Sequence, residues 1–92
     1  MVHPKFRLEI SYNETTGDPV AAYVRMREGK VAHTKEISPG VAFADYAAAG
    51  SLLGIELLEP CRTDLLERLA EKEPEQVRQF LQHGVRKEMI CA

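Results

Sequence analysis

Four side chains, two arginines and two carboxylates, could do chemistry if the fold brought them together. Arg25 and Arg27 are two residues apart in an alternating stretch, so a strand would place both on one side, where they could bind an anion. Asp45 and Glu56 lie in one strand-turn-strand region with Glu59, and these carboxylates could meet as a pair for acid–base catalysis. If the two arginines and the two carboxylates lined one pocket, the chain would be a small-ligand-binding or enzymatic fold. The alternative is that all four are solvated strand residues, with the arginines paired to glutamates on neighbouring strands.

The motifs of more specific chemistries are absent from the sequence. No glycine-rich phosphate loop, Cys-x-x-Cys or His-Glu-x-x-His occurs. Cys61 and Cys91 could join His33 or His83 in a metal site only through a coincidence of folding, so both histidines are interpreted as surface or structural residues. We therefore expect no metal, no cofactor and no catalytic residue.

Length and composition predict one small domain, residues 1–92. Hydrophobic residues make up 45% of the chain and charged residues 28%, enough for a core but a modest one, so oligomerisation would help stability. The net charge of -2 argues against a nucleic-acid binder. A local basic patch remains the basis of a third hypothesis, a nucleic-acid accessory protein; its candidates are Arg25, Arg27, Lys30 and Lys35.

The expected location is the cytoplasm. The N-terminus has no apolar run of signal length, and no segment approaches the roughly 20 apolar residues that a membrane span needs. Two cysteines are too few for a disulfide framework and suit free thiols in a reducing compartment.

Alternation of apolar and polar residues predicts five antiparallel strands in the first 60 residues. The charged segment 31–37 suits an edge strand, whereas the apolar segment 52–58 suits a central strand covered on both faces. Strict alternation would place Leu53 with Ile55 and Leu57, and Leu52 on the opposite face with Leu58. The predicted strands are residues 6–12, 20–27, 31–37, 41–46 and 52–58.

From Thr63 onward the apolar period changes to that of a helix, and Pro74 divides the segment into a helical hairpin from Thr63 to His83. The sequence thus predicts an α+β fold, a β-meander (6–60) followed by a helical extension (61–92). The apolar stripe of the hairpin could pack on its own sheet or on a second subunit. Its possible partner-binding residues are Leu69, Val77, Phe80 and Leu81.

A series of turn and strand motifs resembles the small prokaryotic family catalogued as domain of unknown function 2283, over about residues 8–60. The resemblance implies a small antiparallel sheet and association with another protein, similar to the accessory half of proposed toxin–antitoxin pairs. It implies no catalytic residue and no cofactor. The turn at residues 12–19 and the helical extension depart from the family pattern. The motifs are Tyr12-Asn13, Tyr23 to Arg27, Gly29-Lys30, Pro39-Gly40, Asp45-Tyr46 and Gly54 to Leu58.

The absent motifs and the surplus apolar stripe predict a non-catalytic protein-binding or assembly module. Its expected partners are a second copy of the chain, forming a homo-oligomer such as a dimer, and/or a small protein for which it is the antitoxin-like half.

Overall fold

The computed structural model describes residues 4–58 and 64–85, so both cysteines and the predicted helix start at Thr63 lie outside the described residues. The elements are β1 (Pro4–Tyr12), β2 (Pro19–Arg27), β3 (His33–Ser38), β4 (Ala42–Tyr46), β5 (Leu52–Leu58), α1 (Asp64–Ala70) and α2 (Glu75–Gln79), which continues as a π-helical segment (Phe80–Gly84). The predicted α+β class, a five-stranded antiparallel sheet followed by helices, is confirmed. None of the described helices is long and apolar enough to cross a membrane.

The order of strands across the sheet is β1-β2-β5-β4-β3, which differs from that of the predicted meander. Strands β3, β4 and β5 do follow one another, but β5 returns to pair with β2, and β3 lies at the far edge. The most apolar strand, β5, thereby has a hydrogen-bonded neighbour on each side, so its backbone N–H and C=O groups do not lie at an edge of the sheet. The predicted central and edge positions of residues 52–58 and 31–37 are both confirmed.

The core lies between one face of the sheet and the helices. Alternate residues of the three inner strands are fully buried there, and the apolar stripe of the helices closes the cluster. The helical extension therefore covers the sheet of its own chain. The cluster contains Ala22, Val24, Met26, Ala42, Ala44, Leu52, Ile55, Leu57, Leu65, Leu66, Ala70, Val77, Leu81 and Val85.

A register shift corrects the predicted alternation at the start of β5. Asp45 pairs with Gly54, but Tyr46 pairs with Leu52, so β5 has one extra residue at this point. Such a bulge reverses the side to which the preceding residues point. Leu52 consequently belongs to the core cluster, whereas Leu53, also fully buried, lies outside it and packs against the backbone of Gly29.

Two contacts attach the helices to the sheet. Arg27 forms a 2.6 Å ion pair with Glu73, between α1 and α2, and donates a 2.8 Å hydrogen bond to the carbonyl of Leu52. The side chains of Arg27 and Glu73 are only 12% and 16% exposed, so solvent screens this pair weakly. On the neighbouring strand β1, the ring of Phe6 stacks on that of Phe80 with centroids 4.6 Å apart.

We expect Phe80→Asp to destabilise the monomer rather than to dissociate an oligomer. The substitution removes the Phe6 stack and places a charge against the core, which should lower the free energy of unfolding by about 2 kcal/mol or more. Urea unfolding followed by circular dichroism at several protein concentrations measures the change, with Gln79→Asp on the exposed side of α2 as the control. The expectation would be contradicted if the urea midpoint depended on protein concentration for the native chain but not for Phe80→Asp.

Candidate functional site

The face of the sheet opposite the helices, called here the open face, is not covered by any described element. Strand pairing aligns its side chains in rows that cross all five strands. The first row alternates carboxylates with aromatic rings, and we call it the acidic–aromatic row. In spatial order it consists of Glu9, Tyr23, Glu56, Phe43 and Glu36.

Glu56 lies at the centre of this row, on the central strand, between Tyr23 and Phe43. It is exposed, whereas both rings are partly buried. Among the described residues it has no hydrogen-bond or ion-pair partner. It is also the only charged residue in β5, so the sequence places a solvated carboxylate where the rest of the strand is apolar.

The adjacent row is Arg7, Arg25, Gly54, Asp45 and Thr34. Gly54 leaves a gap in it, and the side chain of Tyr23 leans over from the acidic–aromatic row to fill that gap. A Cβ atom at Gly54 would lie 2.5 Å from Cζ of Tyr23 and would overlap its hydroxyl. The glycine is therefore required by the close approach of the tyrosine ring to the β5 backbone.

The hydroxyl of Tyr23 continues across β5 to Asp45. It donates a 2.8 Å hydrogen bond to Oδ2, while Thr34 Oγ1 donates a 2.6 Å hydrogen bond to Oδ1. Burial, followed by the hydrogen bond and charge of Asp45, raises the pKa of Tyr23 above its ordinary value; the nearby Arg25 opposes this shift. Tyr23 is therefore a protonated donor at neutral pH, and three strands are linked through one carboxylate.

The two arginines have different structural roles. Arg25 donates from Nε to the carbonyl of Arg27 and from Nη2 to that of Gly29, both at 2.7 Å, and so holds the end of β2. Arg27 is engaged by Glu73. The predicted anion site shared by Arg25 and Arg27 would require both guanidinium groups to leave these contacts. Of the four residues considered for catalysis, Arg25, Asp45 and Glu56 reach the open face, whereas Arg27 holds the helices.

The four predicted partner-binding residues lie in or beside the chain's own core. Val77 and Leu81 are only 1% and 2% exposed, while Leu69 and Phe80 are partly buried against the same cluster. Val77 and Leu81 close the core of this chain, so a partner could contact them only if the helices left the sheet, and partner binding by the four residues stays a prediction. Helical periodicity alone cannot distinguish the two uses of an apolar stripe.

Two depressions in the described surface are lined by residues other than Glu56. One of about 320 Å³ is lined by Lys5, Arg7, Arg25, Glu28 and Gly29 at the end of β2, and one of about 300 Å³ lies beside α1. No group of three histidine, cysteine or acidic side chains within residues 4–58 and 64–85 could hold a metal ion. His33 is exposed and stacks on Tyr46 with ring centroids 5.3 Å apart.

Sequence reasoning missed Tyr23 and Thr34 as members of the site. The link from Tyr23 to Asp45 depends on β5 lying between β2 and β4, which alternation within a single strand does not predict. The available signal was Gly54, because a glycine inside an apolar strand often marks a close approach of another group.

The fold and the open face define a small α+β protein with a sheet covered on one side by helices. Residues 21–59 match the family model described as Protein of unknown function (DUF2283), which confirms the resemblance seen in the sequence. The matched segment runs from β2 through β5 and includes Tyr23, Asp45, Gly54 and Glu56, whereas β1 and the helices lie outside it. No curated protein and no solved structure shows a significant match to the chain.

Gly54→Ala should displace the ring of Tyr23 and break its hydrogen bond to Asp45. We expect a loss of about 1–3 kcal/mol in the free energy of unfolding. The same substitution made in a Tyr23→Ala chain should cost clearly less, because the overlapping ring is gone. Urea denaturation of the four chains gives this double-mutant cycle. Equal costs in both backgrounds would mean that the ring does not lie over Gly54.

Stability should decrease in alkaline solution through Tyr23. Its pKa is raised in the folded chain, so folding favours the protonated form; the stability it contributes is complete below its ordinary pKa of 10.0 and is lost as pH rises through the higher folded value. Unfolding free energies measured across this range should fall less steeply for Tyr23→Phe. Spectrophotometric titration should also show a lower pKa for Tyr23 in Asp45→Asn, since the negative charge of Asp45 has been removed.

Proposed function

We propose that this chain is a non-catalytic protein-binding module that binds a cationic segment of a partner protein on the acidic–aromatic row. The observation that carries the proposal is Glu56, an exposed carboxylate without a partner among the described residues, held between Tyr23 and Phe43 at the centre of the sheet. An unpaired charge with an aromatic ring on each side suits a guanidinium or ammonium group.

The chemistry of such a contact is well matched to arginine or lysine. A carboxylate supplies charge-assisted hydrogen bonds, and aromatic faces attract a cation through their quadrupole. Arginine fits better than lysine, because its planar guanidinium can stack on a ring while its edge donates to a carboxylate. Neighbouring strands lie about 4.8 Å apart, so the row spans roughly 19 Å, the length of about six residues of an extended chain.

The charge distribution supports a cationic partner rather than an anionic one. Glu36 at the β3 end of the row is exposed, and within the described part of the chain its side chain accepts a 3.2 Å hydrogen bond from the backbone of Gly40. Glu9 at the β1 end is paired with Arg7 at 2.8 Å, so the attraction should be greatest from Tyr23 to Glu36. The net charge of -2 adds a weak long-range attraction for basic proteins.

Binding is favoured over catalysis by the state of the polar groups. Both oxygens of Asp45 accept hydrogen bonds from hydroxyls, which leaves this carboxylate poorly placed to act as a base. Tyr23, with its raised pKa, stays protonated. The alternative, a ligand-binding or enzymatic site built from Asp45, Glu56, Arg25 and Arg27, has less support because Arg27 is held by Glu73.

Glu56→Gln should weaken binding of an arginine-containing peptide. The probe is an extended nonapeptide with arginine at alternate positions, titrated into ¹⁵N-labelled protein and followed by chemical-shift changes. We expect the changes to centre on β2, β4 and β5, and the dissociation constant to rise about three- to tenfold in Glu56→Gln. Replacing each arginine of the peptide by citrulline, which keeps the shape and removes the charge, should abolish binding.

The matched control is Glu71→Gln, which removes the same charge from an exposed position after α1. This variant should bind the arginine peptide like the native chain. Equal weakening in Glu56→Gln and Glu71→Gln would reduce the interaction to general attraction between an acidic protein and a basic peptide, and the proposed site would be rejected. Shift changes centred on the helices would reject it as well.

A further inference from the structure

The two edges of the sheet differ in how well they are protected from pairing with another strand. β3 is six residues long, its first four residues are exposed and include Lys35, and its register shifts between Glu36 and Ser38. Short length, charge and irregular pairing are the usual means of blunting an edge. β1 is nine residues long, and its only described neighbour is β2. Its register shifts at both ends, between Pro4 and Arg7 and between Ser11 and Tyr12, but residues 7–11 pair regularly. Its proline, Pro4, is at the very start, where it does not interrupt the strand.

The sequence of β1 is complementary to itself when read in the opposite direction. With a twofold axis at Leu8, Arg7 lies opposite Glu9 of the second copy, and Glu9 opposite the second copy's Arg7. Phe6, which is 41% exposed, lies opposite Ile10, and Leu8 meets its own equivalent. Each of these pairs combines opposite charges or two apolar groups on one face of the sheet.

We propose that β1 pairs antiparallel with β1 of a second copy of this chain, centred on Leu8, and so joins two five-stranded sheets into one continuous sheet. The interaction is isologous, since the same patch is used by both copies, and it closes after two chains. The backbone groups along the outer side of β1 would be satisfied by the second copy. This inference is independent of the partner proposed for the acidic–aromatic row.

Several antiparallel registers would leave the open-face side chains of both copies on the same side of the joined sheet. Among these registers, the charges of β1 favour the one centred on Leu8. A pairing centred on Glu9 would place two Glu9 carboxylates opposite each other, and one centred on Arg7 would do the same with two guanidinium groups. A pairing centred on Ile10 would place Glu9 opposite Ser11 and lose both charge pairs. The pairing centred on Arg7 would also place Lys5 opposite Glu9 twice, so only the Leu8 register gives two attractive pairs without placing like charges opposite each other.

The two charged residues are already positioned for this contact. Arg7 and Glu9 are joined within the chain at 2.8 Å, and their side chains are 56% and 55% exposed. Across the proposed axis the two pairs would form a quartet in which each charge has opposite charges beside and across from it. Residues 7–11 pair regularly with β2, so this part of the strand is straight enough to accept a second neighbour.

The expected dimer is reversible, because pairing of two edge strands alone buries less surface than a standard stable interface. A twofold axis perpendicular to the sheet leaves both open faces on the same side. The dimer would thus present two acidic–aromatic rows to one partner or to a partner that is itself dimeric. Such an arrangement would raise the apparent affinity without any new contact.

Charge reversal tests the register directly. Sedimentation equilibrium of the native chain over a concentration series should give a monomer–dimer equilibrium. Arg7→Glu and Glu9→Arg should each weaken the homodimer at least about tenfold, because like charges then lie opposite each other twice. An equimolar mixture of the two variants should dimerise again, since every charge in the mixed dimer has an opposite charge across the axis.

The mixture separates an interface from a folding defect, because neither variant can repair the other's monomer. Lys72→Glu, at an exposed position on the helical side, is the control and should dimerise like the native chain. Circular dichroism of each variant verifies the fold. A native chain that stays monomeric throughout, or variants that dimerise normally alone or fail to recover on mixing, would overturn the proposal.

Discussion

The structure depends on pairing β5 along both of its edges and covering one of its faces. This strand has hydrogen-bonded neighbours along each edge and the helices against one face, so its backbone and most of its side chains are removed from water. Leu57 and Ile55 stand at the centre of the core between β2 and β4. A chain of this length has only one such core, and every other element is arranged to complete it.

On the open face, β5 presents Gly54 and Glu56. Because Gly54 has no side chain, Tyr23 can lie across β5 and reach Asp45. The resulting hydrogen bond links β2 to β4, which are not neighbours in the sheet. That link holds the ring of Tyr23 over Gly54, while its backbone position is paired with Glu56. The proposal of protein binding rather than enclosure of a small substrate rests on this polar surface, where Glu56 is exposed on the central strand.

The contrast between the two edges connects the fold to assembly. β3 is short and charged, whereas β1 is long and self-complementary, and the family match begins only after β1. The acidic–aromatic row lies largely within the matched segment, from Tyr23 to Glu56. Most of the surface proposed for binding therefore lies in the segment that matches the family model, whereas the edge proposed for pairing two copies lies outside that segment.

The sequence by itself determined the local structure. Alternation located all five strands to within a few residues, Pro39-Gly40 gave a turn with Gly40 at φ 70°, and charge identified β3 as an edge. Only the tertiary structure decided the order of the strands and the use of Val77 and Leu81 in the core. It also decided that Leu52, rather than Leu53, belongs to the core cluster. Periodicity and turn residues act within a few positions of the chain. Which strand completes β5, by contrast, depends on how distant segments share a single core.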